Sequence, residues 1–149
     1  MGTHVRTVAI VPADDIEEPA AKSQGVDDND VFIAINVALP PNPLFRPIPR
    51  VPVGTMPCDL EPFDSDTDSY THFAVANSGG SSVTIVRNLG AEVFATAQTL
   101  AVGAEPIAVH AVRLRGPGSP PDLVTVNHTG NSVSVLLNAT PAGPGSTRP

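Results

Sequence analysis

The chain has 149 residues, enough for one ordinary domain with a sizeable core, and its 17 prolines and 12 glycines argue against long helices. The formal net charge of −7 lies upstream: twelve of the fifteen acidic residues, but four of the eight basic ones, fall at or before Asp68. No basic cluster or aromatic platform is present, which speaks against nucleic acid and against an anionic membrane surface as partners. Aromatics are scarce and Trp is absent, so the core must come from Val, Ile, Leu and Ala, which suits strands. No apolar run reaches the roughly 18 residues of a transmembrane helix. The start, Met1-Gly-Thr-His-Val-Arg6, carries neither a secretion signal nor a myristoylation pattern. The single cysteine, Cys58, excludes an intrachain disulfide and is expected to be a small buried hydrophobe in a strand.

In chain order, Val5–Val11 is a first apolar run, ended by Pro12, whose ring removes a ladder donor. Residues 13–28 are acidic and interrupted by proline, and read as a long surface loop. Asn29-Asp-Val-Phe-Ile-Ala-Ile-Asn36 then supplies a second arm, giving a hairpin with an enlarged turn. The same arm recurs as Ser81-Ser-Val-Thr-Ile-Val-Arg-Asn88 and Asn131-Ser-Val-Ser-Val-Leu-Leu-Asn138. Ahead of these stand His72-Phe-Ala-Val-Ala-Asn77 and Asp122-Leu-Val-Thr-Val-Asn127, so a complete hairpin repeats with an offset of 50 residues. Between hairpins, Phe45 to Gly54 parallels Phe94 to Gly103 at an offset of 49, and Val-Gly-x-x-Pro occurs at Val53–Pro57 and Val102–Pro106.

This divides the chain into a partial unit with an acidic loop (1–44), two units (45–93 and 94–138) and a Pro/Gly-rich tail (139–149). Four strand-sized pieces per unit of 40 to 50 residues is the mark of a β-propeller blade, a small sheet that stays dry only when stacked on its neighbours. The expected fold is all-β: consecutive four-stranded antiparallel blades forming a partial ring, open or completed by missing chain or by other subunits. A piece of a longer protein is the favoured reading, and exposed blade edges predict self-association.

One stretch has the chemistry of a site. Asp64-Ser-Asp66-Thr-Asp68-Ser-Tyr70-Thr-His72 alternates carboxylates at positions 1, 3 and 5 of a turn and offers the Tyr70 backbone carbonyl at position 7. Ca²⁺ takes six to eight oxygen ligands, and alternate residues of a turn can aim at one centre. The same stretch reads equally as a solvated acidic turn that contributes only solubility.

Val-Gly-x-x-Pro, the turn at 64–72, Phe-Ala-Val-Ala-Asn, Leu-Val-Thr-Val-Asn and the Ser-Val-x-Val/Ile-Leu/Val arms together resemble the FG-GAP/VCBS class of β-propeller repeats. The resemblance covers about 45–138, and 5–36 more weakly. It implies an extracellular or cell-surface propeller, frequently one module of a large secreted bacterial protein, with Asp64, Asp66 and Asp68 as calcium ligands. Two departures stand out: Ser69 where the family's turn has glycine, and His72 where it has Asp, imidazole being a poor calcium ligand. The corresponding loop of the next unit, Leu114–Asp122, keeps only the last Asp and is expected to be fixed by its Pro and Gly residues rather than by metal.

His4, His72, His110 and His128 lack the spacing of a zinc site and are expected at the surface or in turns. Neither a nucleophile elbow nor a phosphate loop is present. The expected function is therefore a non-catalytic repeat module for structural, protein or glycan interaction. The alternatives are the propeller portion of a larger extracellular enzyme, or a self-assembling repeat protein.

Overall fold

The computed structural model describes residues 7–9, 29–36, 45–64 and 70–139. Among them there is no helix, and eleven strands form three antiparallel sheets. The first sheet contains β1 (Thr7–Ala9), β2 (Asp30–Asn36), β3 (Phe45–Pro47) and β4 (Val51–Pro52), with β3 and β4 both paired to β2. The second is the meander β5 (Pro57–Phe63), β6 (His72–Asn77), β7 (Ser82–Asn88) and β8 (Phe94–Ala101). The third is β9 (Pro106–Val112), β10 (Asp122–Asn127) and β11 (Ser132–Leu136). The repeated hairpins hold the same register, Asn77 opposite Ser82 and Asn127 opposite Ser132.

Repeat and sheet are out of phase by one strand. The sequence units begin at Phe45 and Phe94, but the strand after Phe94 pairs with β7 and completes the sheet of the hairpin before it. The second sheet therefore runs from Pro57 to Ala101 rather than over 45–93. The cause is local. Residues 89–93 make a tight reversal, with Val93 donating to Gly90 at 2.9 Å and Leu89 donating to Val93 at 2.8 Å. Gly90, Ala91 and Glu92 all take positive φ there, and the chain is laid straight back against β7. A period cannot reveal where a unit starts; the turn decides it. The first sheet ends likewise on β3 and β4, where Pro47 and Pro52 stand on an edge strand that tolerates a missing donor.

The sheets stack in order, each presenting a forward face to the next. Val31, Ile33, Ile48 and Val51 of the first sheet pack on Phe73, Val75 and Val86 of the second. Phe63, Ala74, Ala76 and Val83 of the second pack on Val109 and Leu123 of the third. Strand β6 thus sends Phe73 and Val75 backward and Ala74 and Ala76 forward, and all six of its residues are buried. A strand covered on both faces has no polar side to show, which explains its unbroken apolar run. Phe73 stacks on Phe94 with ring centroids 5.9 Å apart, tying the outermost strand to the first core.

A second device joins sheets two and three. Asp59 and Glu61, forward-pointing on β5, accept hydrogen bonds from the backbone N–H groups of Val109 (2.8 Å) and Ala111 (3.3 Å). These carboxylates satisfy donors on the edge of β9 that no strand among the described residues pairs.

Candidate functional site

The best-defined polar structures are two corners built on one plan, each around a buried asparagine. The N–H of the corner glycine differs, going to Asn77 Oδ1 in the second sheet and to Ser134 Oγ (3.2 Å) in the third. In the second sheet the Asn77 amide donates to Ser82 Oγ (3.1 Å) and Thr84 Oγ1 (3.0 Å), while its oxygen accepts from the Gly54 N–H (3.1 Å). In the third the Asn127 amide donates to Ser132 Oγ (3.1 Å) and Ser134 Oγ (2.9 Å). The glycine of Val-Gly-x-x-Pro is explained by this asparagine. A Cβ at Gly54 would lie 2.6 Å from Asn77 Nδ2, and one at Gly103 would lie 2.5 Å from Asn127 Nδ2. Backbone bonds close each corner: Ser78 N–H to Met56 at 2.9 Å, and His128 N–H to Glu105 at 2.8 Å. The two loops at each corner are therefore one rigid unit, and their tips, including Met56, Gly79 and Thr129, are exposed.

Of the expected calcium ligands, Asp66 and Asp68 lie outside the described residues. Asp64 is exposed at the end of β5. Tyr70 is exposed, and its hydroxyl lies over Gly90, where a Cβ would meet it at 2.7 Å. His72 is not the surface or turn residue expected from sequence. It is fully buried on β6, its Nδ1 accepts from the Asn88 N–H at 3.1 Å, and its ring meets Phe63 edge-on with centroids 6.1 Å apart. The candidate donors named by the sequence, the Asp64, Asp66 and Asp68 carboxylates and the Tyr70 carbonyl, are all oxygen, the kind a hard cation takes. Among the described residues, which omit Asp66 and Asp68, no three His, Cys, Asp or Glu side chains converge.

The equivalent loop of the third sheet contains a feature the sequence reading missed. Asp122, at the position of His72, is fully buried and pairs with Arg115, whose Nη2 donates to Oδ1 at 2.8 Å. The Asn138 N–H donates to the same carboxylate at 2.9 Å. The bond from Asn138 and the paired guanidinium hold the Asp122 carboxyl below the usual carboxylate range, against the opposing effect of burial. Here the protein supplies its own cation. Gly116 and Gly118 both take positive φ, so glycine does shape this turn as expected, but the charge at its centre belongs to Arg115. An arginine seven residues before the lone Asp was the available sequence signal.

Three further groups complete the polar inventory. Glu105 accepts from Thr129 Oγ1 and lies 3.1 Å from His128 Nδ1, contacts that hold its pKa below the ordinary glutamate value. His110 and His128 are exposed, as expected, and His110 Nδ1 sits 3.1 Å from Glu61. Cys58 is exposed, contrary to expectation, because β5 is bulged between Pro57 and Asp59. Its thiol donates to the Pro106 carbonyl at 3.2 Å and the Ala76 carbonyl at 3.5 Å. Partial desolvation pushes its pKa up, and the Asp59 and Glu105 carboxylates add to the rise against contacts with Ser78.

Between β8 and β11 lies an open cleft of about 760 Å³, lined by Phe63, Ile85, Leu100, Leu123, Leu136 and the Arg87 side chain among others. It arises because the second sheet has a fourth strand and the third, among the described residues, has none. No helix among the described residues is long and apolar enough to cross a membrane. No family model, no curated protein and no solved structure matches this chain.

Proposed function

We propose that the chain is a non-catalytic interaction module made of propeller-type repeats, of the FG-GAP/VCBS kind its motifs resemble. It would act at the cell surface or outside the cell, with a protein or glycan as its ligand. The observation that carries the reading is the doubled corner. Asn77 with Gly54 and Asn127 with Gly103 each lock two loops together on a stacked sheet. Rigid, register-matched sheets that end in exposed loops are suited to displaying a binding surface, since little ordering entropy remains to be lost when a partner docks.

Calcium belongs to the same proposal. Asp64, Asp66, Asp68 and the Tyr70 carbonyl would hold the ion on the loop joining β5 to β6. There it would neutralise three carboxylates in a region of the chain already rich in acid. The test is thermal unfolding of the chain and of Asp66→Ala over a Ca²⁺ titration. A ligand that binds only the folded state must raise the midpoint by mass action. The expected result is a rise that saturates in the wild type and is lost in the variant. A flat profile at millimolar calcium, or the same rise in Asp66→Ala, removes the ion from this loop. The wider reading is tested by probing glycan and extracellular-protein arrays with the labelled chain, with and without calcium. Turnover of an arrayed glycan by the purified chain would overturn it.

A further inference from the structure

The turn that returns the chain from β7 to β8 is made of residues that disfavour it. Val93 N–H donates to the Gly90 carbonyl at 2.9 Å, which makes Gly90–Val93 a β-turn with Ala91 and Glu92 at its centre. Both central residues take positive φ, 49° and 64°. A hairpin turn of that form suits Asn-Gly or Gly-Gly, because a Cβ in the left-handed region crowds the following carbonyl. The glycine of this segment stands before the two central positions, where φ is 78° and Tyr70 occupies the space a Cβ would need. Backbone strain persists only where the surroundings impose it. Here the fit of β8 imposes it. The strand meets β7 in register from Ser82 opposite Ala101 to Asn88 opposite Phe94, and Phe94 stacks on Phe73.

Nothing in that fit requires β7 and β8 to belong to one molecule. What β7 selects is this strand in this register, and a second copy of the chain carries the same strand. Opening the turn straightens residues 89–93 and releases Ala91 and Glu92 from the left-handed region. It also carries β8 and the third sheet away from β7. Two copies opened in this way each receive the other's β8 to β11. They remake the β7–β8 ladder, the Phe73–Phe94 stack and the core between the second and third sheets. The two hinges then cross at the two-fold axis. Leu89 and Val93, 55 % and 50 % exposed in the closed chain, are brought there beside the same residues of the partner. Exchange thus relieves strain and covers apolar surface, against the entropy of association.

We propose that the protein forms a domain-swapped dimer through the 89–93 hinge, in which β8 and the third sheet of each copy complete the second sheet of the other. The closed monomer forms first in dilute solution, because its own β8 is tethered beside β7. The dimer forms when chains fold at high concentration, and it reverts slowly, since the ladder must break again. Each lobe of the dimer combines an Asn77 corner from one copy with an Asn127 corner from its partner. The inference rests on strand pairing and stands whether or not the 64–70 loop binds calcium.

Refolding from urea at low and high protein concentration, followed by size-exclusion light scattering, tests it. The proteins are the wild type, the double variant Ala91→Asn/Glu92→Gly, and Glu92→Ala. Concentrated wild type is expected to yield a dimer of twice the 15.3 kDa chain mass that survives dilution. The double variant, with residues suited to the turn, is expected to keep the same circular dichroism and to give about tenfold less dimer. Glu92→Ala retains the strained turn and is expected to dimerise like the wild type. Loss of the dimer there would assign it to the Glu92 side chain and overturn the proposal. Co-refolding of Thr84→Cys with Thr99→Cys, each in a Cys58→Ser background, decides the geometry. Thr84 and Thr99 are paired across β7 and β8 with their hydroxyl oxygens 3.3 Å apart, so a disulfide there requires the two strands side by side. An 84–99 disulfide between the two chains is expected. A wild type that stays monomeric after concentrated refolding overturns the proposal, as does a dimer that the double variant retains in full or one that lacks the 84–99 link.

Discussion

Asp122 Oδ1 holds the backbone N–H of Asn138 at 2.9 Å, and His72 Nδ1 holds the backbone N–H of Asn88 at 3.1 Å at the matching place one repeat earlier. The repeat keeps the bond and changes the acceptor. Both acceptors sit at the head of the middle strand of a hairpin and fix the end of the arm that returns beside it. In the second sheet the acceptor is a ring shielded by Phe63; in the third it is a carboxylate balanced by Arg115.

The change of acceptor gives the third sheet a pH dependence. The folded-state pKa of Asp122 is depressed, so its contribution to stability is fully present above the ordinary unfolded value of about 3.9. That contribution is lost as pH falls through the lower folded value. Glu105 is shifted in the same direction and adds to the trend. Urea unfolding between neutral and strongly acid pH should show the midpoint falling below pH 4, with a shallower fall in Asp122→Asn than in the wild type. Equal slopes for the two proteins would show that Asp122 is not the group responsible.

Adding one methyl group at either corner glycine should loosen the fold. The Cβ of Gly103→Ala would press on Asn127 Nδ2 from 2.5 Å, and Asn127 is held by two hydroxyls and cannot retreat freely. A destabilisation of about 1–3 kcal/mol is expected, from overpacking and a displaced buried amide. Gly116→Ala, where a Cβ meets nothing within 4 Å, reports only the cost of its positive φ and serves as the comparison. Denaturant midpoints with unchanged slopes would establish the order.

Phe73→Ala should cost about 3–5 kcal/mol, because Phe73 fills the core between the first two sheets and stacks on Phe94. The repeat-related pair Val83→Ala and Val133→Ala isolates the effect of cover. The first should cost about 2 kcal/mol, and the second, in dilute monomer, less than about 0.5 kcal/mol. Similar losses at the two positions would mean that Val133 is not open in solution.

Cys58 should be alkylated more slowly than an exposed thiol of ordinary pKa. Its raised pKa leaves less thiolate at neutral pH, and its proton is directed to two carbonyl oxygens. The rate of iodoacetamide labelling as a function of pH should have its midpoint above that of a free thiol peptide. A midpoint at or below the peptide value would show that the contacts to Pro106 and Ala76 do not hold in solution.

Some features were legible in the one-dimensional pattern because each is local. Alternation of Val with polar residues marks the strands, a glycine or asparagine marks the reversal, and equal spacing marks Asn77 and Asn127 as one position used twice. The all-β class and the antiparallel hairpins follow from these alone. Other features depend on what lies across space, which spacing does not encode. The turn at 89–93 assigns β8 to the sheet before it. His72 becomes a core residue because Phe63 and the end of β7 close over it. Cys58 stays outside because the ladder bulges there. Arg115 finds Asp122 only once the loop has folded. Asp59 and Glu61 read as ordinary surface acids until β9 presents its unpaired N–H groups to them. Val83 and Val133 are the same residue in the same pattern, and burial separates them because burial is set by the neighbouring sheet and not by the strand that carries the side chain.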